Sequence, residues 1–203
     1  MRTLFLFLMF LFFLPVTGKS APYEYQLDPD HSYVGFKVKH IGYAYTVGRF
    51  NTVSGEFIFN EETRELKSLK AEITGDSVDT AHKKRDNHIR NSDFLDVKKH
   101  PLITFSMTDN QQINEKKGTI IGNLTLLGIT KSVTLDVIWH KSGPYPFGGG
   151  VFSGPPYVLG ASARTTIKRS DFGMTYGVDS GLVGDDVDII IEIEAIRGDK
   201  ALP

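Results

Sequence analysis

Residues 77–105 read SVDTAHKKRDNHIRNSDFLDVKKHPLITF, and the fold turns on whether this stretch is a reactive centre or a brace between strands. It concentrates Asp79, His82, Lys83, Lys84, Arg85, Asp86, His88, Arg90, Asp93 and Asp96, and it lacks the period-two pattern present on both sides of it. Ala81 to Arg90 is compatible with a helix and Thr80 is its prospective N-cap. Asn91-Ser92 ends that helix and can cap a further turn through Asp93-Phe94-Leu95. The expected helical insertion therefore covers residues 81–96, with Phe94, Leu95 and Val97 as its apolar underside. On such a helix Asp86 and Arg90 are spaced as an i,i+4 pair, and Arg85, His88 and either Lys84 or Asn91 are neighbours.

Two uses of these charges compete. As chemistry, Asp86 with His88 or His82 makes an acid/base pair and Arg85 or Arg90 holds an anion. As architecture, the same Asp and Arg side chains bond backbone amides and carbonyls and pin the helix across the end of a sheet.

Outward from the stretch the chain is written in strands. Val34, Phe36 and Val38 alternate with Tyr33, Lys37 and Lys39 in Ser32–His40, after the turn residues Asp28-Pro29-Asp30-His31. Phe57 and Phe59 extend the apolar face after Gly55, Asn60–Arg64 is a polar hairpin turn, and Leu69, Ala71 and Ile73 follow. Beyond residue 102 come Ile103, Phe105 and Met107, then Ile120, Leu124 and Leu126, then Val133, Leu135, Val137 and Trp139. Gly128–Lys131 is the hairpin expected between the last two sets. Ser142–Pro156 is rich in Gly and Pro and reads as a long loop with an aromatic tip. Strands return at Tyr157–Lys168, with Leu159, Ala161, Ala163 and Ile167 inward, and at Asp186–Ile196, with Val187, Ile189, Ile191, Ile193 and Ala195 inward.

This pattern predicts an all-β protein: an antiparallel up-and-down barrel of about eight strands, closed because closure removes exposed edges. An edge left open would pair with a second copy, giving a homodimer. A barrel of this size is either filled by its side chains or wide enough for one slender ligand. The inward set mixes bulky residues with the small Ala71, Gly122, Ala161, Ala163 and Ala195, which leaves both open.

The N-terminus reads differently. Met1-Arg2 is followed by an apolar run over residues 3–16 and by the small residues Gly18 and Ser20, the order of a secretory signal peptide. Residues 1–20 are the expected signal peptide and 21–203 the barrel domain. The apolar run is shorter than the roughly 20 residues of a membrane span, so stable membrane insertion is not expected. The chain has 23 Lys and Arg against 24 Asp and Glu. Removal of Arg2 and Lys19 leaves a small acidic excess, which argues against a nucleic-acid surface. With no Cys, neither disulfides nor thiol chemistry can contribute. The histidines His31, His40, His82, His88, His100 and His140 show no ligand spacing, so no metal site is expected, and only a convergence of His31, His40 and His88 in space would supply one. No Gly-x-Ser-x-Gly elbow occurs, and Asp171-Phe172-Gly173 lacks the phosphate and catalytic loops of a kinase.

A further set of blocks carries a resemblance: His31-Ser32 with Val34, Phe36, Val38, Lys39 and His40; Ser77-Val78-Asp79-Thr80; Arg85-Asp86, His88, Arg90, Asp93-Phe94 and Asp96-Val97; Pro101 and Phe105; Gly122–Thr125 with Gly128-Ile129-Thr130; Arg169–Gly173; and Val183-Gly184-Asp185. In this order they resemble the YceI-like family over essentially the whole mature chain. Two departures stand out, Leu95 where a second aromatic is common and the Gly run at 148–150.

The resemblance implies a lipocalin-like barrel exported to the bacterial periplasm that binds an amphipathic lipid, a long isoprenoid or fatty chain, inside the barrel. It implies no enzymatic activity and no cofactor beyond the bound lipid. The expected ligand-contacting set is Phe36, Val38, Phe57, Phe59, Ile73, Phe105, Leu124, Leu135, Val137, Trp139 and Leu159. The rival reading is an exported hydrolase or isomerase that uses Asp79, Asp86, His88 and Arg90 on a lipid head group.

Overall fold

The computed structural model describes residues 21–149 and 154–202. The expected signal peptide and part of the Ser142–Pro156 loop lie outside the described residues. Eleven strands follow in order: β1 Tyr23–Leu27, β2 Tyr33–His40, β3 Ala44–Phe50, β4 Val53–Asn60, β5 Glu65–Thr74, β6 Val78–Asp79, β7 Leu102–Gln112, β8 Lys117–Leu126, β9 Ile129–Pro144, β10 Tyr157–Lys168 and β11 Val183–Ala201. One α-helix, α1 Lys83–Ile89, lies between β6 and β7.

These eleven segments make eight walls. The long β11 pairs with β2 through its first half and with β1 through its second, so β1 and β2 are one strand with a break. Likewise β3 pairs with β2 while β4 pairs with β1, and β6 pairs with β3 while β5 pairs with β4. Every neighbour is antiparallel and next in the chain, and the β1–β11 pairing closes the ring. The result is the expected closed eight-stranded antiparallel barrel.

The three breaks lie beside one another. At the first, Pro29 cannot donate to a ladder, and Asp28 instead accepts from the Asp30 amide (3.0 Å) and binds His31 Nδ1 (2.7 Å). At the second and third, the Asn51 amide donates to the Ser77 carbonyl (3.1 Å) and the Thr52 amide to Ser77 Oγ (3.1 Å). The wall bends there, between the lower barrel and the end that carries α1.

The local expectations need five corrections. The helix begins at Lys83, and its N-cap is His82, whose Nδ1 accepts from the Arg85 amide (3.2 Å). Thr80 is not the cap, because Ala81 turns through φ +57° and delays the helix. Asp86 and Arg90 form no ion pair; each is bonded to backbone. The hairpin between β8 and β9 is the two-residue turn Leu127-Gly128, both at positive φ (54° and 74°), the geometry that matches strand twist; Ile129–Lys131 already belong to β9. The long loop is shorter than Ser142–Pro156, because β9 runs to Pro144 and the Tyr145 amide donates to the Pro156 carbonyl (2.8 Å). The strand β3 was not anticipated at all.

Candidate functional site

Alternation sends one face of every wall inward. The inward residues do not fill the interior: they leave a cavity of about 610 Å³, within the range of roughly 300–1,000 Å³ typical of small-molecule sites. All eleven residues named from the alternation stand in its wall, from Phe36 and Val38 on β2 to Leu159 on β10. Small residues leave the space. Ala71, Ala161 and Ala163 face the cavity, and the Phe105 ring occupies the space at Gly122 that a Cβ would take.

The lower end is plugged. Tyr25 is wholly buried and stacks on Phe57 at 5.0 Å. Its hydroxyl donates to one oxygen of Glu61, and Tyr157 donates to the other at 2.9 Å. Burial, reinforced by Glu61, pushes the Tyr25 phenol well above its ordinary range. Arg197 lies between the rings of Tyr23 (4.2 Å) and Tyr157 (3.7 Å), and Arg64 covers Trp139 at 3.7 Å.

The upper end is braced by α1 and by the segment between β10 and β11. Asp86, buried, accepts from the Thr80 amide (2.9 Å) and from its hydroxyl. Arg85 donates to the Thr80 hydroxyl and carbonyl, both at 2.7 Å. Arg90 donates to the carbonyls of Asp76 (2.8 Å) and Val78 (2.7 Å). Asn91 caps the following turn through the Asp93 amide (2.9 Å). Beneath it Leu95, with Phe94 and Val97, packs on Val78, Leu126, Phe172 and Met174. Arg169, 2% exposed, donates to the carbonyls of Gly184 (2.7 Å), Met174, Tyr176 and Val183 (each 2.8 Å). Burial draws its pKa below the ordinary guanidinium value. Burial would raise Asp185, but the amide and hydroxyl of Ser170 hold it below the carboxylate range.

Of the four candidate catalytic residues only His88 reaches the cavity. It pairs with Asp93 (2.8 Å) rather than Asp86, and sits edge-on between Phe94 (5.0 Å) and Tyr176 (5.2 Å). Asp79 turns to the Ala81 amide (2.8 Å) and Asn51. The four do not form one centre. Nor do His31, His40 and His88 converge: His31 precedes β2 and His40 ends it, more than 20 Å along a strand at about 3.3 Å per residue. Among the described residues one group could gather ligand atoms within 4.8 Å, namely Asp28, His31 and Glu194 on the outer wall.

Arg85, a candidate anion holder, lines the cavity at the α1 end together with Ile41, Tyr176 and Leu182, which the sequence pattern does not single out; none of the four belongs to an alternating strand. The Arg169–Gly173 block and the helical stretch were the available signals.

The comparisons agree with this architecture. The model of the YceI-like domain matches residues 25–195. A UPF0312 protein of Pseudomonas aeruginosa is 36% identical over 182 residues, covering 89% of this chain and 90% of its own. The crystal structure of the Campylobacter jejuni YCEI protein superposes with a TM-score of 0.70 at 31% identity, over 80% of this chain and 91% of that one. A polyisoprenoid binding domain from Saccharophagus degradans shares the fold, with a TM-score of 0.62 at 14% identity, over 86% of this chain and 98% of that one. Closed barrel, braced upper end and matched sequence together place the chain in the YceI-like family.

Proposed function

We propose that this protein is an exported lipid-binding protein that holds a long isoprenoid or fatty chain in its barrel, for storage or transport, without catalytic turnover. The observation that carries the reading is the apolar cavity of about 610 Å³ enclosed by the barrel wall. Each Å² of apolar surface removed from water favours binding by about 25 cal/mol, so a long chain needs no covalent or ionic anchor. The eleven inward residues would contact the chain. Arg85, His88 and Tyr176 at the mouth would face a polar head group. The name of the Saccharophagus degradans domain, polyisoprenoid binding, supports the same cargo class.

A head-group hydrolase or isomerase has less support. Asp86 and Arg90 are committed to backbone, and Asp79 lies outside the cavity. Export to the periplasm rests on the sequence of residues 1–20. No helix among the described residues is long and apolar enough to cross a membrane.

The test is native mass spectrometry, with organic extraction, of the mature protein purified from its own cells. A stoichiometric prenyl or acyl lipid is the expected result. Ala163→Trp, and independently Ala161→Phe, should fill the cavity and abolish that lipid while circular dichroism remains that of a β-barrel. A wild-type protein that releases no lipid overturns the reading.

A further inference from the structure

The upper rim exposes apolar side chains to solvent. Tyr43, at the tip of the β2–β3 hairpin, is 91% exposed, and Ile41, Leu182 and Tyr176 are 45%, 44% and 42% exposed. The Ile41 amide donates to the Leu182 carbonyl (3.0 Å), which joins the hairpin tip and the segment after β10 into one surface. Ile41, Leu182 and Tyr176 are also cavity-wall residues. Apolar surface therefore extends from the interior onto the outside of the molecule, beside the polar His40, Arg85 and His88.

Charge on this rim is uneven. The run His82-Lys83-Lys84-Arg85 opens α1, and Lys83 and Lys84 are exposed and make no ion pair among the described residues. The acids of the same insertion are occupied: Asp86 by Thr80, Asp79 by Ala81 and Asn51, Asp93 by His88, and Asp96 by Lys99 at 3.2 Å. Exposed acids on this side, Asp171, Asp179 and Asp186, lie on the segment after β10 and at the start of β11, and Asp186 pairs with Lys168 at 3.1 Å.

We propose that this end is a docking face for an anionic bilayer: Ile41, Tyr43 and Leu182 enter the boundary between head groups and acyl chains, and Lys83 and Lys84 meet the lipid phosphates. The inference rests on the carrier reading above. An exposed apolar patch with a basic rim is the arrangement that holds a protein at a membrane interface, and tyrosine is at home at that depth. A bilayer fits better than a folded partner. A protein sealed over Ile41, Leu182 and Tyr176 would cover the mouth, whereas a lipid surface delivers and receives a chain through it.

The experiment is flotation of the mature protein with vesicles of phosphatidylcholine, with and without phosphatidylglycerol. Wild type should float with the anionic vesicles, far less with the neutral ones, and be released by salt. Tyr43→Ser, and separately the double variant Lys83→Glu, Lys84→Glu, should lower the bound fraction by about threefold or more. Neither changes a cavity-wall residue, so both should still take up lipid delivered from detergent. Ala163→Trp should float and carry nothing. A wild type that loads lipid but floats with neither vesicle overturns the docking face and leaves the carrier reading standing. A protein that floats but never loads does the reverse. Variants that float as well as wild type also overturn the proposal.

Discussion

Arg169 shows how much a single side chain organises here. The residue is 2% exposed, and four bonds of its guanidinium go to backbone carbonyls of one segment and of the start of β11. No carboxylate bonds it directly; Asp185, held by Ser170, supplies the nearby negative charge. Substitution by Met would strand four buried carbonyls, and bonds to charged groups are each worth about 1.5–3 kcal/mol. Arg169→Met should therefore destabilise the protein by roughly 3 kcal/mol or more, and loosen the segment that carries Tyr176 and Leu182. Arg169→Lys should be intermediate, since an ammonium brings the charge but only three donors. Urea unfolding midpoints and proteolysis within residues 173–182 would measure both effects, and a wild-type midpoint for the Met variant would refute the role. No periodicity marks a buried arginine of this kind. It was legible only through the Arg169–Gly173 block. Thr80 was misread for a related reason: its hydroxyl is a good cap in isolation, but here Arg85 and Asp86 both claim it.

Among the elements, strands with one wet and one dry face were legible and the others were not. Tyr157–Lys168 matches the strand read from alternation, because Leu159, Ala161, Ala163 and Ile167 recur on one face at period two and Pro155-Pro156 precede it. By contrast β3 was invisible. Its outward residues Tyr45 and Val47 are 55% and 56% exposed, and its inward face includes Thr46 and Gly48, so the expected contrast is inverted. Gly48 is forced by packing: Phe36 and Thr80 occupy the space its side chain would take. The elbow between β1 and β2 makes an element-scale prediction. Its bond to Asp28 raises the pKa of His31, and the same bond lowers that of Asp28. A raised histidine stabilises the fold below its unfolded value and loses that contribution as pH rises through the folded one. A lowered aspartate stabilises above its unfolded value and loses it as pH falls through the folded one. The elbow is therefore tightest between the two folded values. Hydrogen-exchange protection in β1, taken relative to the intrinsic amide rate at each pH, should be greatest in that window and should fall on the alkaline side as His31 deprotonates. His31→Ala should remove the alkaline step; if the step persists, the bond does not secure the elbow.

At the scale of the whole molecule, the barrel is closed through the β1–β11 pairing yet hollow, and these two facts have opposite effects on stability. Closure joins the first strand to the last, and among the described residues only the short β6, paired with β3 at Arg49 and Phe50, has a single neighbour. The hollow means that the apolar wall residues lack the partners a filled core would supply, and each such void costs dispersion and transfer energy. Whether the interior was filled was the one architectural question that alternation left open. Alternation assigns a face to each residue but does not measure the distance across the ring. A cargo chain should recover part of that cost. A ligand present at about a hundred times its dissociation constant adds about 2.7 kcal/mol, and for a domain of this size each kcal/mol moves Tm by about 2–4 °C. Delipidated wild type should thus melt about 5–10 °C below the loaded protein. Ala163→Trp should show no such difference, because its own side chain occupies the space in both preparations. Differential scanning calorimetry of loaded and delipidated samples gives the comparison. Equal melting temperatures for the two wild-type preparations would mean that the interior is not where the lipid binds.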